Sequence, residues 1–312
     1  MKVITLVPVK NEEWILPYSL KNFSSFSDVI IMADQRSTDN TVAICKTFDK
    51  VRVIENPYKE HTNEIRWLLL DEARKYEGDK IIICLDADEL ISPDAIIEMK
   101  RWAADTNSPI GFSSRWIQAY GSIKTYREDG VWKDNYKPFA FLDSPSLDYN
   151  RVTVTNDHAP RIPYIENMHV LSSPIIHLQY LARLRSELKQ AFYMCKELLE
   201  GRSPRAINYR YSAAKFSNKI PIKSIDEKWL AGIQIPGNDI FASYDPNKLS
   251  DIRHLFDQKG ILYFENLDIW DIELLKKDFV EKTGRLPYPK KYPLFLVKAN
   301  NIKNKIKSAI MH

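Results

Sequence analysis

The first hundred residues alternate short apolar runs with amphipathic segments, and this alternation constrains the fold more than any other feature. The apolar runs are rich in β-branched residues and are predicted to be strands, at residues 3–7, 29–32, 51–54 and 80–85. The segments between them show helical periodicity, at residues 15–23, 38–48 and 62–76. Strands that alternate with helices pair side by side in one direction, so the pattern predicts an α/β fold with a mostly parallel sheet flanked by helices.

The composition is that of a globular protein and excludes several other classes. Of the 312 residues, 44% are hydrophobic and 28% are charged, which is too apolar for a disordered chain. A net charge of +4 does not indicate a nucleic-acid partner. The three cysteines lie far apart and form no disulfide or zinc pattern, as is usual in a reducing compartment. No apolar stretch reaches the ~18 residues of a membrane span, so the sequence predicts a cytoplasmic protein.

The texture of the sequence changes after about residue 105, and we predict three parts. Residues 1–105 form the α/β half, and residues 106–205 form a mixed half of the same domain with many aromatic residues and prolines. Residues 206–312 form a helical C-terminal extension, whose end, 290–312, mixes lysines with large apolar residues. Such a segment can make peripheral contact with the inner face of an anionic cell membrane, form a solvated helix or contact another subunit.

Polar side chains follow three of the predicted strands at the point where each strand ends. The first strand runs into Pro8, Lys10, Asn11 and Glu12, the second into Asp34 to Asp39, and the fourth into Asp86, Asp88 and Glu89. Ligands of an open α/β sheet bind beyond the carboxyl ends of its strands. Three carboxylates within four positions also need a compensating cation or a set of donors. The sequence therefore predicts a ligand site with a positive partner at this edge.

These three strand ends resemble family 2 glycosyltransferases, which have the GT-A fold. The segments that carry the resemblance are "VPVKNEE", "ADQRSTDNT" and "LDADE", the last of which is similar to the family's Asp-x-Asp motif. The resemblance covers roughly residues 1–105 and extends more loosely to a histidine near residue 177. It implies an enzyme that moves a sugar from a nucleotide-diphosphate sugar to an acceptor hydroxyl. It also implies a saccharide or lipid-linked saccharide acceptor and a role in bacterial surface-polysaccharide or glycolipid synthesis.

The predicted donor-binding residues are Pro8, Lys10, Glu12, Asp34, Arg36, Asp39, Arg66, Asp86, Asp88, Arg185 and Lys189. Within this set the resemblance assigns Glu12 and Asp34 to the base and ribose pocket, and Arg66 to the diphosphate. Arg185 and Lys189 recur on one helix face, where they either approach the donor phosphates or form a solvated basic face. Residues 1–105 are thus the predicted nucleotide-sugar-binding half, and residues 106–205 the acceptor-side half.

A divalent cation, Mn²⁺ or Mg²⁺, is a further implication of the resemblance. Asp88 would hold it, together with Asp86, directly or through ribose and water, and His177. Carboxylate oxygens suit both metals, and a neutral imidazole is a competent ligand for Mn²⁺. The alternative for His177 is a buried histidine that is hydrogen-bonded to the backbone.

The chain departs from the family pattern beside the second strand. Many members have a second aspartate and a glycine where this chain has Gln35 and Arg36. UDP is the commonest nucleotide in such families, but this difference leaves the nucleobase open. The chain has only 9 glycines and lacks a glycine-rich phosphate loop.

The general base is predicted among the carboxylates that precede His177. A transfer that inverts the anomeric centre needs a carboxylate to take the proton of the acceptor hydroxyl. Asp148, Asp157 and Glu166 are the candidates. We choose Asp157, with Glu166 as the next candidate, because "TNDHAPRIP" follows the strand-like "RVTVT" where the family's base-bearing segment would fall. The alternative for Asp157 is an aspartate that caps a turn.

Two other functions are compatible with an Asp-x-Asp segment after an apolar strand. Phosphotransferases of the haloacid dehalogenase type carry such a motif, although normally on the first strand and with Thr or Val where this chain has Leu90. A catalytically inactive nucleotide-sugar-binding module is the alternative without enzyme activity. The intact carboxylate cluster favours an enzyme.

Overall fold

The computed structural model describes residues 1–58, 62–106, 108–151, 160–216 and 219–290. Asp157 lies outside these described residues, and so does the C-terminal segment 291–312. The predictions that concern the base Asp157 and the membrane contact of the tail therefore stay predictions.

The described residues form a chain of alternating strands and helices followed by a helical part. The strands are β1 (Lys2–Val9), β2 (Val29–Asp34), β3 (Val51–Glu55), β4 (Lys80–Cys84), β5 (Glu89–Ile91), β6 (Gly111–Tyr120), β7 (Ser122–Arg127), β8 (Tyr136–Leu142), β9 (Met168–Val170), β10 (Ile175–His177) and β11 (Ile222–Ser224). The helices are α1 (Leu16–Phe26), α2 (Thr41–Cys45), α3 (Glu64–Arg74), α4 (Pro93–Ala104), α5 (Arg183–Leu199), α6 (Pro204–Tyr211), α7 (Glu227–Leu230), α8 (Pro246–Lys259) and α9 (Glu273–Thr283).

The sheet combines a parallel region with an antiparallel region. Its order is β11-β7-β6-β8-β4-β1-β2-β3, and the four strands from β4 to β3 are parallel. Strand β8 runs antiparallel to both β4 and β6, and β7 and β11 continue the antiparallel region. The short β10 lies between β6, with which it is parallel, and β5, with which it is antiparallel. The predicted α/β fold and its four N-terminal strands are confirmed.

Two layers of helices cover the parallel region, as predicted. Successive side chains of a strand point to opposite faces, so Val3 and Val7 of β1 belong to one apolar cluster and Ile4 and Leu6 to another. Helices α1 and α4 pack into the first cluster, and α3 packs into the second. Both faces of the parallel region are therefore covered by helices and excluded from water, which explains why β1 and β4 are almost continuously apolar.

The second predicted helix is shorter than the sequence indicated. Residues 38–48 show helical periodicity, but α2 begins only at Thr41. The preceding backbone N–H groups are bound by side chains from elsewhere, because Asn11 Oδ1 accepts from Thr38 N (2.8 Å) and Glu13 Oε2 accepts from Asn40 N (2.9 Å). These bonds hold the end of β2 in an irregular loop.

The chain divides into two compact units. The first comprises Met1–Leu181 and Ile220–Phe241, and the second comprises Ala182–Lys219 and the residues from Ala242 onward. The second unit is helical and has its own core, which includes Leu188, Ile252, Phe256 and Phe279. The division predicted at residues 105 and 205, with a helical extension over 206–312, stays a prediction. In the part of the chain that the structure describes, no helix has the length and apolar character needed to span a membrane.

Candidate functional site

The carboxyl ends of β1 and β2 are joined by side-chain hydrogen bonds. Val9 pairs with Asp34 at the end of the parallel ladder. Beyond it, Asn11 adopts a positive φ of 54°, a region that asparagine tolerates better than most residues. Its N–H donates to Ser37 Oγ (2.9 Å), and its side-chain oxygen accepts from the backbone of Thr38. The first two predicted strand ends are therefore adjacent, as their parallel pairing required.

Asp34 presents a carboxylate oxygen, Oδ1, that no described residue binds. Its Oδ2 accepts from Ser37 N at 3.1 Å. Its Oδ1 is buried and has no hydrogen-bond partner among the described residues. Because a buried acceptor without a donor is costly, this atom is placed to accept a hydrogen bond from a ligand.

The other predicted residues of this edge have different surroundings. The carboxylate of Glu12 accepts from the indole N–H of Trp14. Asp39 caps the loop, since its two oxygens accept from the backbone of Glu13 and Thr41. Arg36 is largely exposed and lies 3.7 Å from Glu55. Lys10 is exposed, Pro8 is half-buried within β1, and the amide of Gln35 donates to the carbonyl of Tyr58.

Two arginines occupy the carboxylate of Asp86. Arg66 Nη2 donates to Oδ1 at 3.0 Å, and Arg161 Nη2 donates to Oδ2 at 2.5 Å. Burial raises the pKa of Asp86, but the nearby guanidinium groups of Arg161 and Arg66 outweigh burial and hold this pKa well below its usual range. Arg66 keeps a second buried nitrogen, Nη1, that has no partner among the described residues.

Arg161 also neutralises Glu89, which is completely buried. Its two terminal nitrogens donate to the two carboxylate oxygens at 2.7 and 2.8 Å. The indole N–H of Trp116 (2.6 Å) and the backbone N–H of Asp86 (2.9 Å) complete the set of donors. A buried ion pair is stable only when its polar atoms are satisfied in this way. Arg161 is thus a counter-ion of the carboxylate cluster that the sequence analysis did not identify.

Asp88 lies beside His177. Oδ2 of Asp88 lies 3.1 Å from Nε2 of His177, and both side chains are nearly buried. The antiparallel pairing of β5 with β10 brings His177 there, opposite Glu89. On the other side of the ring, Nδ1 lies 2.7 Å from Gln118 Oε1, while Gln118 Nε2 donates to the carbonyl of His177. Since Oε1 can only accept, Nδ1 carries the proton and Nε2 faces Asp88.

This arrangement fits two ligand positions of a divalent cation. An imidazole whose other nitrogen is fixed by a hydrogen bond is typical of metal-binding histidines. Among the described residues, no group of three or more His, Cys, Asp or Glu side chains is assembled for a metal ion. Both oxygens of Asp86 accept from arginines, whereas Asp88 and His177 face each other as two ligands of the kinds that such a cation takes. The remaining ligands of a cation would be phosphate oxygens or water.

The ring of Trp116 contacts both His177 and Lys137. Its ring centroid lies 4.3 Å from that of His177 and 3.6 Å from the ammonium nitrogen of Lys137. Burial, and next the charge of Arg161, lower the pKa of Lys137. Sequence reasoning missed Trp116, Gln118 and Lys137, although the alternation of polar-capable side chains in "SSRWIQAY" is a signal that β6 faces a site.

The remaining predicted residues lie elsewhere. Glu166 is exposed, and Asp148 is exposed and paired with Arg151 at 3.1 Å. Arg185 and Lys189 belong to α5 of the second unit, where Arg185 lies 3.8 Å from Asp245. The structure brings together Asp86, Asp88 and His177 with Arg66 in the first unit.

Comparisons with known proteins bear on the family of the chain. Among solved structures, S. aureus TarS 1-349 is 14% identical over 61% of this chain and 65% of that one, with a TM-score of 0.41. TarS 1-349 in complex with UDP is 18% identical over 39% and 37%, with a TM-score of 0.33. Glucosyl-3-phosphoglycerate synthase from Mycobacterium tuberculosis in complex with Mn²⁺ and UDP is 17% identical over 36% and 44%, with a TM-score of 0.29.

This chain spans less than two thirds of each of these structures. Their identities are below 25% and their TM-scores below 0.5, so no conclusion about activity follows from them. Comparison with curated proteins gives no match. A family model described as "Glycosyl transferase family 2" matches residues 5–160, half of the 312 residues. By this match the chain belongs to glycosyl transferase family 2.

Proposed function

We propose that the chain transfers a sugar from a nucleotide-diphosphate sugar to an acceptor hydroxyl, with Mn²⁺ or Mg²⁺ held by Asp88 and His177. The observation that carries this proposal is the contact between Asp88 Oδ2 and His177 Nε2, in which Gln118 fixes the imidazole. When bound, the cation would stabilise the charge that grows on the leaving diphosphate.

The charges of the site support a need for a divalent cation. The carboxylates are Asp86, Asp88 and Glu89, and the cations near them are Arg66, Arg161 and Lys137. Among the described residues, these three negative and three positive charges balance before any ligand binds. A diphosphate adds about two negative charges, and a divalent cation would restore the balance. Metal and donor are therefore expected to strengthen each other's binding.

Individual residues have separate roles in this proposal. The unused Oδ1 of Asp34 would accept from an N–H of the nucleobase, and the unpartnered Nη1 of Arg66 would donate to the diphosphate. Arg161 would hold Asp86 and Glu89 in place without contacting the donor. Gln118 would hold the imidazole so that Nε2 of His177 faces the cation.

A binding panel tests the donor site. UDP, GDP, CDP and dTDP would each be titrated by calorimetry, with and without Mn²⁺. We expect one of them to bind, and to bind at least ~10-fold more tightly with Mn²⁺, because the cation shields phosphate charge from the carboxylates. The matching nucleoside is the control, and its affinity should not depend on the metal. Absence of metal-dependent binding for all four nucleotides would contradict the proposal.

The proposal includes inversion at the sugar with Asp157 as the general base. Asp157→Asn is expected to lower transfer by ~10²–10⁴-fold while diphosphate binding is unchanged, since the amide cannot accept the hydroxyl proton. Glu166→Gln is the matched comparison. Asp148 is a poor candidate, because burial raises its pKa but the hydrogen bonds from Arg151 and Tyr149 and the charge of Arg151 together lower it further. Normal turnover of Asp157→Asn together with inactive Glu166→Gln would move the role to Glu166.

We further propose that the acceptor is a saccharide or lipid-linked saccharide of surface-polysaccharide or glycolipid synthesis. The support is the family, together with the mixture of lysines and large apolar residues in 290–312, which suits an anionic membrane surface.

A further inference from the structure

We propose that Lys137 binds the diphosphate of the donor and acts as a second, monovalent cation beside the metal. This inference rests on the proposed function and deepens it. It concerns the ammonium group of Lys137, which packs over the ring of Trp116 within the carboxylate cluster.

The sheet places Lys137 at the level of the Asp-x-Asp segment. It is the second residue of β8, which runs antiparallel to β4 with Ile83 opposite Ala140. In the pairing of β8 with β6, Lys137 lies opposite Ser114. Its charge interacts with those of Asp86, Asp88, Glu89 and Arg161. A residue of the acceptor-side half therefore lies beside the predicted phosphate position.

No described residue pairs directly with the ammonium group of Lys137. Among the described residues, Lys137 Nζ has neither an ion pair nor a hydrogen bond, and its close partner is the Trp116 ring at 3.6 Å. Two of the carboxylates whose charges act on Lys137 already bind an arginine, since Arg161 contacts both oxygens of Glu89 and one of Asp86. A cation–π contact holds a lysine in place without cancelling its charge. Lys137 is thus half-buried, positioned and available.

The position favours the diphosphate over an anionic group of the acceptor. The ring that holds Lys137 also contacts His177, which faces Asp88. The Trp116 ring contacts both Lys137 and His177, and the charge of Lys137 also interacts with that of Asp88, so it would act on a diphosphate bound at Asp88 and His177. An ammonium ion with three donors is a common phosphate ligand and accepts several phosphate orientations.

The experiment compares Lys137→Met with Lys133→Met. Methionine keeps the length of the side chain and removes its charge, and Lys133 is an exposed lysine four positions earlier. Binding of the diphosphate identified by the panel would be measured with Mn²⁺, together with binding of its nucleoside. For Lys137→Met we expect affinity for the diphosphate to fall about 10-fold or more, with nucleoside affinity unchanged. Lys133→Met should stay within about twofold of the wild type, because a solvated charge contributes little.

Lys137→Arg serves as a second variant and should retain most of the affinity, because the charge is kept. Unchanged diphosphate binding by Lys137→Met would overturn the proposal. So would a raised KM for the acceptor with unchanged diphosphate binding, which would place Lys137 at the acceptor. An equal loss of nucleoside binding would also overturn it, because the effect would then not depend on phosphate. Failure of the wild type to bind any diphosphate would instead overturn the proposed function itself.

Discussion

Arg161→Ala is expected to lower the free energy of unfolding of the first unit by about 3–5 kcal/mol. The variant would leave Glu89 buried without its cation, although the N–H groups of Trp116 and Asp86 would still donate to it. Removing one member of a buried ion pair costs more than the pair contributes, because the other charge stays out of water. Urea denaturation at pH 7 measures the effect.

Arg151→Ala is the matched control for this variant. Arg151 also binds two carboxylates, Asp71 and Asp148, but it does so on the surface with its side chain 41% exposed. Its loss should cost no more than about 1 kcal/mol. The double variant Arg161→Met/Glu89→Gln should recover part of the stability lost in Arg161→Ala. Equal costs for Arg161→Ala and Arg151→Ala would contradict this account of the cluster.

The loss of stability in Arg161→Ala is expected to depend on pH, because the same arginine lowers the pKa of Asp86. The pKa of Asp86 lies below its ordinary value of 3.8, because the two arginines outweigh burial. A lowered pKa contributes stability that is present above the ordinary value and is lost as the pH falls through the folded-state value. The difference in the free energy of unfolding between the wild type and Arg161→Ala should therefore become smaller below about pH 4.

Asp88→Asn is expected to lower transfer by about 10²–10³-fold, because the amide is a weak ligand for a cation that stabilises the leaving diphosphate. Diphosphate binding gives a readout that does not require the acceptor, since the enhancement by Mn²⁺ should disappear. His177→Ala should produce a similar loss, and the double variant should be no worse than the more affected single variant.

Gln118→Glu offers a comparison that keeps both proposed ligands. Gln118 contacts the far side of the imidazole and would not touch the cation. The new carboxylate would still accept from Nδ1 but could no longer donate to the carbonyl of His177, so we expect a smaller loss of the enhancement by Mn²⁺ than in Asp88→Asn.

Full enhancement of diphosphate binding by Mn²⁺ in Asp88→Asn would show that Asp88 does not hold the metal.

Those parts of the site that depend on local sequence pattern could be predicted from the sequence alone. The strands β1, β2 and β4 follow from apolar runs, and their parallel pairing places their carboxyl ends at one edge. Asp34, Asp86 and Asp88 could therefore be chosen without coordinates. The irregular loop before α2 could not be predicted in this way. Side chains of Asn11 and Glu13, which follow β1, bind its backbone N–H groups, so the helix begins later than its periodicity indicates.

The partners of the carboxylates depend on contacts that no local pattern encodes. Arg161 is 75 positions from Asp86, and Gln118 is 59 positions from His177. The second contact requires β10 to lie in register between β5 and β6, and only the complete sheet sets that register. The run of three carboxylates predicted a compensating cation or set of donors, and in the structure Arg66 and Arg161 bind two of these carboxylates, Asp86 and Glu89.

Trp116 gives the site an optical property. Its indole contacts a carboxylate, an imidazole and an ammonium group at once, and all three lie where charge would change when a ligand binds. The emission of a tryptophan depends on the electric field and on quenching groups at its ring. Although the chain has 7 tryptophans, the difference in fluorescence emission between the wild type and Trp116→Phe gives the contribution of Trp116. The molecule thus carries an intrinsic fluorophore at the centre of its carboxylate cluster, so occupancy of the site can be followed by light without any attached label.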